Sequence, residues 1–213
     1  MKDMITKADY MEAPCRTASI PYWKTAHISV PDNMKILHDQ EFSPEILEQY
    51  SDEPYFRLKH CLKNVKPTSV PNGYSLCKAA ISDFAEHINK CYEGICISVS
   101  ELQSYATRAV YSPELWIAVK NDDTGEIVAT GIAEMDREIG EGVLEWIQVS
   151  RESRRCGLGS YIVLELLWRM RKAAQFVTVS GQCSNPDKPE ELYRKCGFSG
   201  NDVWHILRKR EEK

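Results

Sequence analysis

Seven of the ten prolines fall before Asn72: Pro14, Pro21, Pro31, Pro44, Pro54, Pro67 and Pro71. Proline fixes φ and carries no N–H, so this stretch excludes long helices. Strand-like pieces remain, Met34 to Phe42 and Tyr55 to Leu62. Between them Ser43 and Pro44 open a short helix as N-cap and first helical residue. Tyr22, Trp23, Tyr50, Tyr55 and Phe56 need burial, so the stretch is no linker. Residues 1–72 are expected to form an irregular α+β extension.

Regular texture begins at Gly73, and residues 73–213 read as a second domain. Tyr74 to Ala79 is a short strand. Ile81, Phe84, Ala85, Ile88 and Tyr92 recur at helical spacing. Ser98 or Ser100 caps a second helix running through Arg108. Leu115 to Lys120, a turn at residues 121–125, Glu126 to Met135 and Gly142 to Val149 give three strands. Ser160 to Ala174 is an amphipathic helix. Gln175 to Ser180 is a strand, Pro189 to Cys196 a helix closed by Gly197, and Asp202 to Arg208 a last strand before a polar tail. The order β-α-α-β-β-β-α-β-α-β is a mixed α/β layer, not a βαβ repeat.

Composition excludes several classes. Charged residues are 27% of the 213 and apolar residues 43%, which rules out intrinsic disorder. No apolar run approaches the ~20 residues that span a bilayer. The start, Met1 to Lys7, has no apolar leader, so the cytoplasm is the expected compartment and the eight cysteines are expected to be free thiols. With 27 basic and 31 acidic residues, a duplex-DNA binder is disfavoured. His87, Cys91 and Cys96 are the nearest approach to a metal cluster, but no second ligand pair stands at zinc spacing, and no metal is expected.

The chemistry concentrates between Leu144 and Ser160, where a strand runs through Arg154, Arg155, Gly157 and Gly159 straight into a helix. A helix start exposes unbonded N–H groups and the positive end of the macrodipole. Glycines let a phosphate approach the backbone, and two arginines add fixed charge. Taken alone, the loop could equally be an ordinary tight turn. Ile162 stands where a dinucleotide fingerprint needs glycine, and no Gly-Lys-Ser/Thr follows for a mononucleotide loop.

Arg154-Arg155-Cys156-Gly157-Leu158-Gly159 resembles the central motif of the GNAT N-acetyltransferase superfamily, with Ile147-Gln148-Val149 ending the strand before it. Asn185 followed by Leu192-Tyr193-Arg194-Lys195-Cys196-Gly197-Phe198 is similar to that family's second motif. Arg151 stands where the family often has proline, and Arg155 where it has Gly or Arg. The resemblance covers about Gly73 to Arg208. It implies a GNAT-like mixed, mostly antiparallel central sheet flanked by helices, and acetyl-CoA as acyl donor. The implied cofactor contacts are Ile147, Gln148, Val149, Arg154, Arg155, Cys156, Gly157, Leu158, Gly159, Ser160 and Asn185.

The implied reaction is direct acetyl transfer to a primary amine. A lysine-like amine is neutral only about once in two thousand molecules at pH 7, so a base helps. Glu145, by alternation on one face with Val143, Ile147 and Val149, is the expected base, with ordered water as the alternative. The resemblance makes the Val149 N–H the oxyanion donor and Tyr193 the acid for the departing thiolate. Glu134, Asp136, Glu138, Glu141 and Glu145 make an acidic hairpin, read either as steering a cationic acceptor or as a solvated turn. The cluster Cys15 to Lys24 either folds over the acceptor or forms a satellite core. Cys156 is read as incidental. The expected partner is a small-molecule or peptide amine, with no nucleic acid and no membrane. A homodimer stays open, and so does a non-catalytic acyl-CoA sensor of the same fold.

Overall fold

The computed structural model describes residues 5–210. The first residues read for a leader, 1–4, and the end of the polar tail, 211–213, lie outside them. The residues gather into two compact units, one made of the chain up to His60 together with the chain from Thr178, the other of Cys61–Val177.

The first unit opens with three short helices, α1 (Lys7–Glu12), α2 (Pro14–Thr17) and α3 (Tyr22–Thr25). Their shortness follows from the prolines at positions 14 and 21. Strands β1 (Met34–His38) and β2 (Tyr50–His60) follow, and the unit ends with helix α7 (Pro189–Lys195) and strand β8 (Ser199–Lys209). The segment Pro44–Glu48 is a 3-10 turn rather than an α-helix, and the Ser43 side chain makes no capping bond. Strand order is β1-β8-β2-β7, where β7 is Phe176–Gln182 and crosses from one unit to the other at residue 178. β1 and β2 both run antiparallel to β8. Tyr10, Phe56, Leu58, Tyr193, Phe198 and Leu207 are buried here.

The second unit holds β3 (Tyr74–Cys77), α4 (Ile81–Cys91), α5 (Val99–Tyr105), β4 (Trp116–Asn121), β5 (Ile127–Asp136), β6 (Glu141–Val149) and α6 (Leu158–Met170). Its strands lie in the order β6-β5-β4-β3, each pair antiparallel. Helix α4 forms because its apolar residues recur on one stripe. Phe84, Ala85 and Ile88 pack with Ile97, Leu102, Ala118 and Ile132 on one face of the sheet. Ser98 caps α5 by accepting from the Glu101 N–H at 3.1 Å. On the other face, Ile162 and Leu166 of α6 press against Gly131 of β5. The chain is therefore mixed α/β, its strands mostly antiparallel and flanked by helices, as the element order predicts.

Candidate functional site

Strand β6 sets up the site through the direction of its amides. Gln148 stands opposite Thr130 and Val149 opposite Ala129, and the Ser150 N–H donates to the Val128 carbonyl at 2.8 Å. Alternate residues of an antiparallel strand bond to alternate sides, so the Gln148 and Ser150 amides face β5. The Val149 amide faces the opposite edge. On that edge the Val149 carbonyl accepts from Arg154 Nε at 3.2 Å and the Ile147 carbonyl from the Tyr92 hydroxyl at 3.3 Å. Arg154 is thus folded back, half-buried, onto the strand that precedes it.

Beyond Val149 the chain makes a 3-10 turn over Arg151–Ser153, with the Ser153 N–H on the Ser150 carbonyl at 2.9 Å. Arg155 then takes φ +63° and Gly157 φ +83°. For arginine that left-handed conformation costs roughly 1–2 kcal/mol, and glycine adopts it freely. The two turns point the backbone into α6. No side chain caps that helix, and its first internal bond runs from the Tyr161 N–H to the Gly157 carbonyl at 3.0 Å. The N–H groups of Leu158, Gly159 and Ser160 therefore have no acceptor within the helix.

Space and charge at the turn suit an anion. A methyl group on Gly157 would meet only Pro71 Cγ at 3.7 Å. Arg151, Arg155 and Cys156 are exposed, and Glu152 is the one carboxylate of the turn. The Tyr74 phenol reaches over from β3 to hydrogen-bond Cys156 and Ser153. Leu158 is 1% exposed, so only its amide can serve a ligand. The Gln148 side chain is likewise turned inward, donating to Thr130 Oγ1.

Beneath the turn lies a buried polar cluster that the sequence reading did not assemble. His87 of α4 places Nδ1 2.9 Å from Thr130 Oγ1 and Nε2 3.0 Å from Ser150 Oγ, with Cys91 Sγ 3.6 Å from the same nitrogen. His87, Thr130 and Ser150 are all buried. Burial, with Lys90 adding to it, pushes the His87 ring down to about 4 against a weaker pull from the Val128 carbonyl. Burial also pushes the Cys91 thiol up. Both are neutral at pH 7. A histidine inside the Phe84–Ile88 stripe was the sequence sign of this cluster.

Several expected roles change. The row Val143, Glu145, Ile147 and Val149 does not exist, because the register passes from Leu144 opposite Ala133 to Trp146 opposite Ile132. Glu145 is the extra residue of a β-bulge, which reverses the faces on either side of it. Val143 opposes Glu134, whereas Ile147 opposes Gly131 on the α6 face. Glu145 itself is half-buried.

Three carboxylates of the acidic hairpin are buried, Glu134 at 2% exposed, Asp136 at 6% and Glu141 at 0%, whereas Glu138 is exposed. Glu134 pairs with Arg108 at 2.6 Å, and Asp136 accepts from the Glu138 and Ile139 amides. The Glu134 charge is balanced by Arg108, while Asp136 is held by backbone amides.

In the first unit, Tyr193 is buried on α7 with its ring 6.2 Å from Phe56 and 5.7 Å from Phe198. Asn185 Oδ1 accepts from the Asp187 N–H at 2.9 Å, shaping the turn before α7. The Cys15 to Lys24 cluster forms a satellite core, with Cys15 and Ala18 buried and the Trp204 indole donating to the Cys15 carbonyl at 2.7 Å.

Comparison with known proteins agrees with this architecture. Residues 112–200 match the acetyltransferase (GNAT) domain family. Among curated proteins none matches the sequence. A GCN5-related N-acetyltransferase from Sphaerobacter thermophilus superposes with TM-score 0.68 at 18% identity, over 84% of this chain and 61% of that one. This chain thus spans less than two thirds of that protein. A GNAT-family acetyltransferase from Colwellia psychrerythraea gives TM-score 0.59 at 12% identity, over 82% and 64%. Ard1 from Thermoplasma volcanium gives 0.51 at 15%, over 66% and 99%. At these identities the likeness is one of fold. The domain match places the likeness to the acetyltransferase (GNAT) domain family in residues 112–200.

Proposed function

We propose that the chain is an acetyl-CoA-dependent N-acetyltransferase that moves an acetyl group directly to a primary amine. The observation that carries this is the uncapped start of α6, reached through left-handed backbone at Arg155 and Gly157. A diphosphate fits it: the open amides of Leu158, Gly159 and Ser160 face outward, no Cβ stands at Gly157, and Arg155 adds charge. Ile147, Cys156 and Asn185 are the remaining contacts that the family likeness suggests, Gln148 and Leu158 through their backbone only.

The thioester supplies an activated acyl group with a good leaving thiolate. The Val149 amide, aimed at the outer edge of β6, donates to the carbonyl oxygen on which charge develops. Arg154 holds the adjoining carbonyl and so fixes this peptide edge. Glu145, half-buried at the bulge, accepts the proton of the attacking amine, directly or through water. Tyr193 donates the proton of its phenol O–H to the departing sulfur. Cytoplasmic residence is part of the same proposal.

Calorimetric titration with acetyl-CoA tests the reading first, followed by CoA release with a panel of amines: a polyamine, an aminoglycoside, an amino acid, an N-terminal peptide and a lysine peptide. Saturable binding and CoA release with one class support it. No binding overturns it, and binding without release to any amine makes the chain a sensor.

A further inference from the structure

The cluster under the loop ties two side chains that flank Val149 to a single anchor. Gln148 donates to Thr130 Oγ1, Thr130 Oγ1 lies 2.9 Å from His87 Nδ1, and His87 Nε2 lies 3.0 Å from Ser150 Oγ. A neutral imidazole offers one donor and one acceptor, which is what bridging two hydroxyls requires. Residues 148 and 150 are therefore held from the same face of the sheet, by a helix whose neighbouring residues Phe84 and Ile88 are fixed in the core. The peptide between them carries the Val149 N–H, pointing to the other edge.

We infer that His87 is a positioning residue for acyl transfer, locking the peptide planes on either side of Val149 so that its amide stays aimed at the developing oxyanion. The inference rests on the acyltransferase reading above. It assigns His87 no contact with substrate, and it separates catalysis from cofactor capture. The diphosphate is held by the α6 start, several residues further along the chain, so loss of the clamp moves the turnover step and leaves binding in place. A preorganised donor is effective only while its direction is fixed; removing one outright costs about a hundredfold to a thousandfold in kcat.

The test uses the full chain with His87→Leu, Ser150→Ala, their combination, and His87→Gln, whose amide still donates to Ser150. Acetyl-CoA is the probe, in calorimetry and in ¹H–¹⁵N spectra that follow the Val149 amide. CoA release is then read with the amine that supports wild-type turnover. The expected result is a kcat about ten- to a hundredfold lower in His87→Leu and Ser150→Ala, with the acetyl-CoA Kd within about threefold of wild type. The double variant falls no further than the singles, and His87→Gln recovers part of the loss. The Val149 amide shift produced by acetyl-CoA shrinks in the two single variants and returns in His87→Gln.

Unchanged kcat with an unchanged Val149 shift overturns the inference, as does a loss confined to Kd or strictly additive singles. Should His87→Leu fail to fold, Ser150→Ala carries the same readouts alone. A wild-type chain that binds no acetyl-CoA overturns the underlying reading instead, and the inference falls with it.

Discussion

Gly157→Ala separates the conformational demand of the loop from its ligand demand. The residue sits at φ +83°, and an added Cβ would touch only Pro71 Cγ at 3.7 Å, an ordinary contact. The stability cost is therefore backbone strain alone. Left-handed backbone costs a non-glycine residue roughly 1–2 kcal/mol. Against that, the alanine chain loses less entropy on folding, worth about 0.4–1 kcal/mol. The net destabilisation is about 1 kcal/mol, a fall in Tm of about 2–4 °C for a chain of this length. Ligand binding suffers more. The methyl stands where the backbone must approach a phosphate, and displacing one charge-assisted hydrogen bond costs about 1.5–3 kcal/mol. That is an increase of about ten- to 150-fold in the acetyl-CoA Kd. Differential scanning calorimetry and titration calorimetry on the same preparation read the two effects separately. A variant that loses its cooperative melt would show that Gly157 serves packing. One that binds acetyl-CoA as tightly as wild type would show that no phosphate reaches this turn.

Gly131→Ala is the converse: its Cβ would lie 2.5 Å from Ile162 Cγ2 and 3.1 Å from Leu166 Cδ1, so overpacking lowers the unfolding free energy by about 1–3 kcal/mol, read as a lower urea midpoint, with no direct effect on acetyl-CoA affinity. Burial sets the acid limit of His87, at about 4 when folded against 6.5 when unfolded. The unfolded chain then takes up the proton first, so its contribution is intact above pH 6.5 and shrinks by about 3 kcal/mol as the pH falls toward 4. His87→Gln flattens that limb of the stability–pH curve; an unchanged slope between pH 6.5 and 4 would contradict the buried neutral ring. Tyr193→Phe keeps the packing on Phe56 and Phe198, lowering stability by about 0.5–1.5 kcal/mol at most for the lost hydroxyl. It slows CoA release while acetyl-CoA binding holds, and unchanged release would remove Tyr193 from the reaction.

What the sequence made legible follows from where local information suffices. Helix α4 announces itself because Ile81, Phe84, Ala85 and Ile88 carry its period, and the loop entering α6 because Gly157 and Gly159 follow Arg154 and Arg155 directly before an amphipathic run. Both depend on residues within two turns of each other. The larger errors at the site lie where the facing strand or a distant residue decides. Glu134, Asp136 and Glu141 read as steering an acceptor or as solvated because their charges are visible and their burial is not; the Arg108 that neutralises Glu134 stands 26 positions earlier. Glu145 read as one of a row because alternation assumes a ladder without insertions. Its bulge carries no glycine or proline to mark it, and is defined only by the strand opposite.

The same distinction orders the candidate site. Its ligand-facing layer is encoded in consecutive residues, Arg154 to Ser160, since the amides of a helix start need no partner from elsewhere. Its supporting layer is assembled from four separate places in the chain, His87, Thr130, Gln148 and Ser150, each ordinary by itself. A buried histidine bonded to two hydroxyls adds no apolar contact that a leucine would not supply, and it lowers stability in acid. What leucine cannot supply is direction: two hydrogen bonds fix the rotation of the strand end about its own axis, which packing alone leaves softer. His87 also satisfies two buried hydroxyls, so its removal costs stability, and the aim of the Val149 amide is the further role proposed for it.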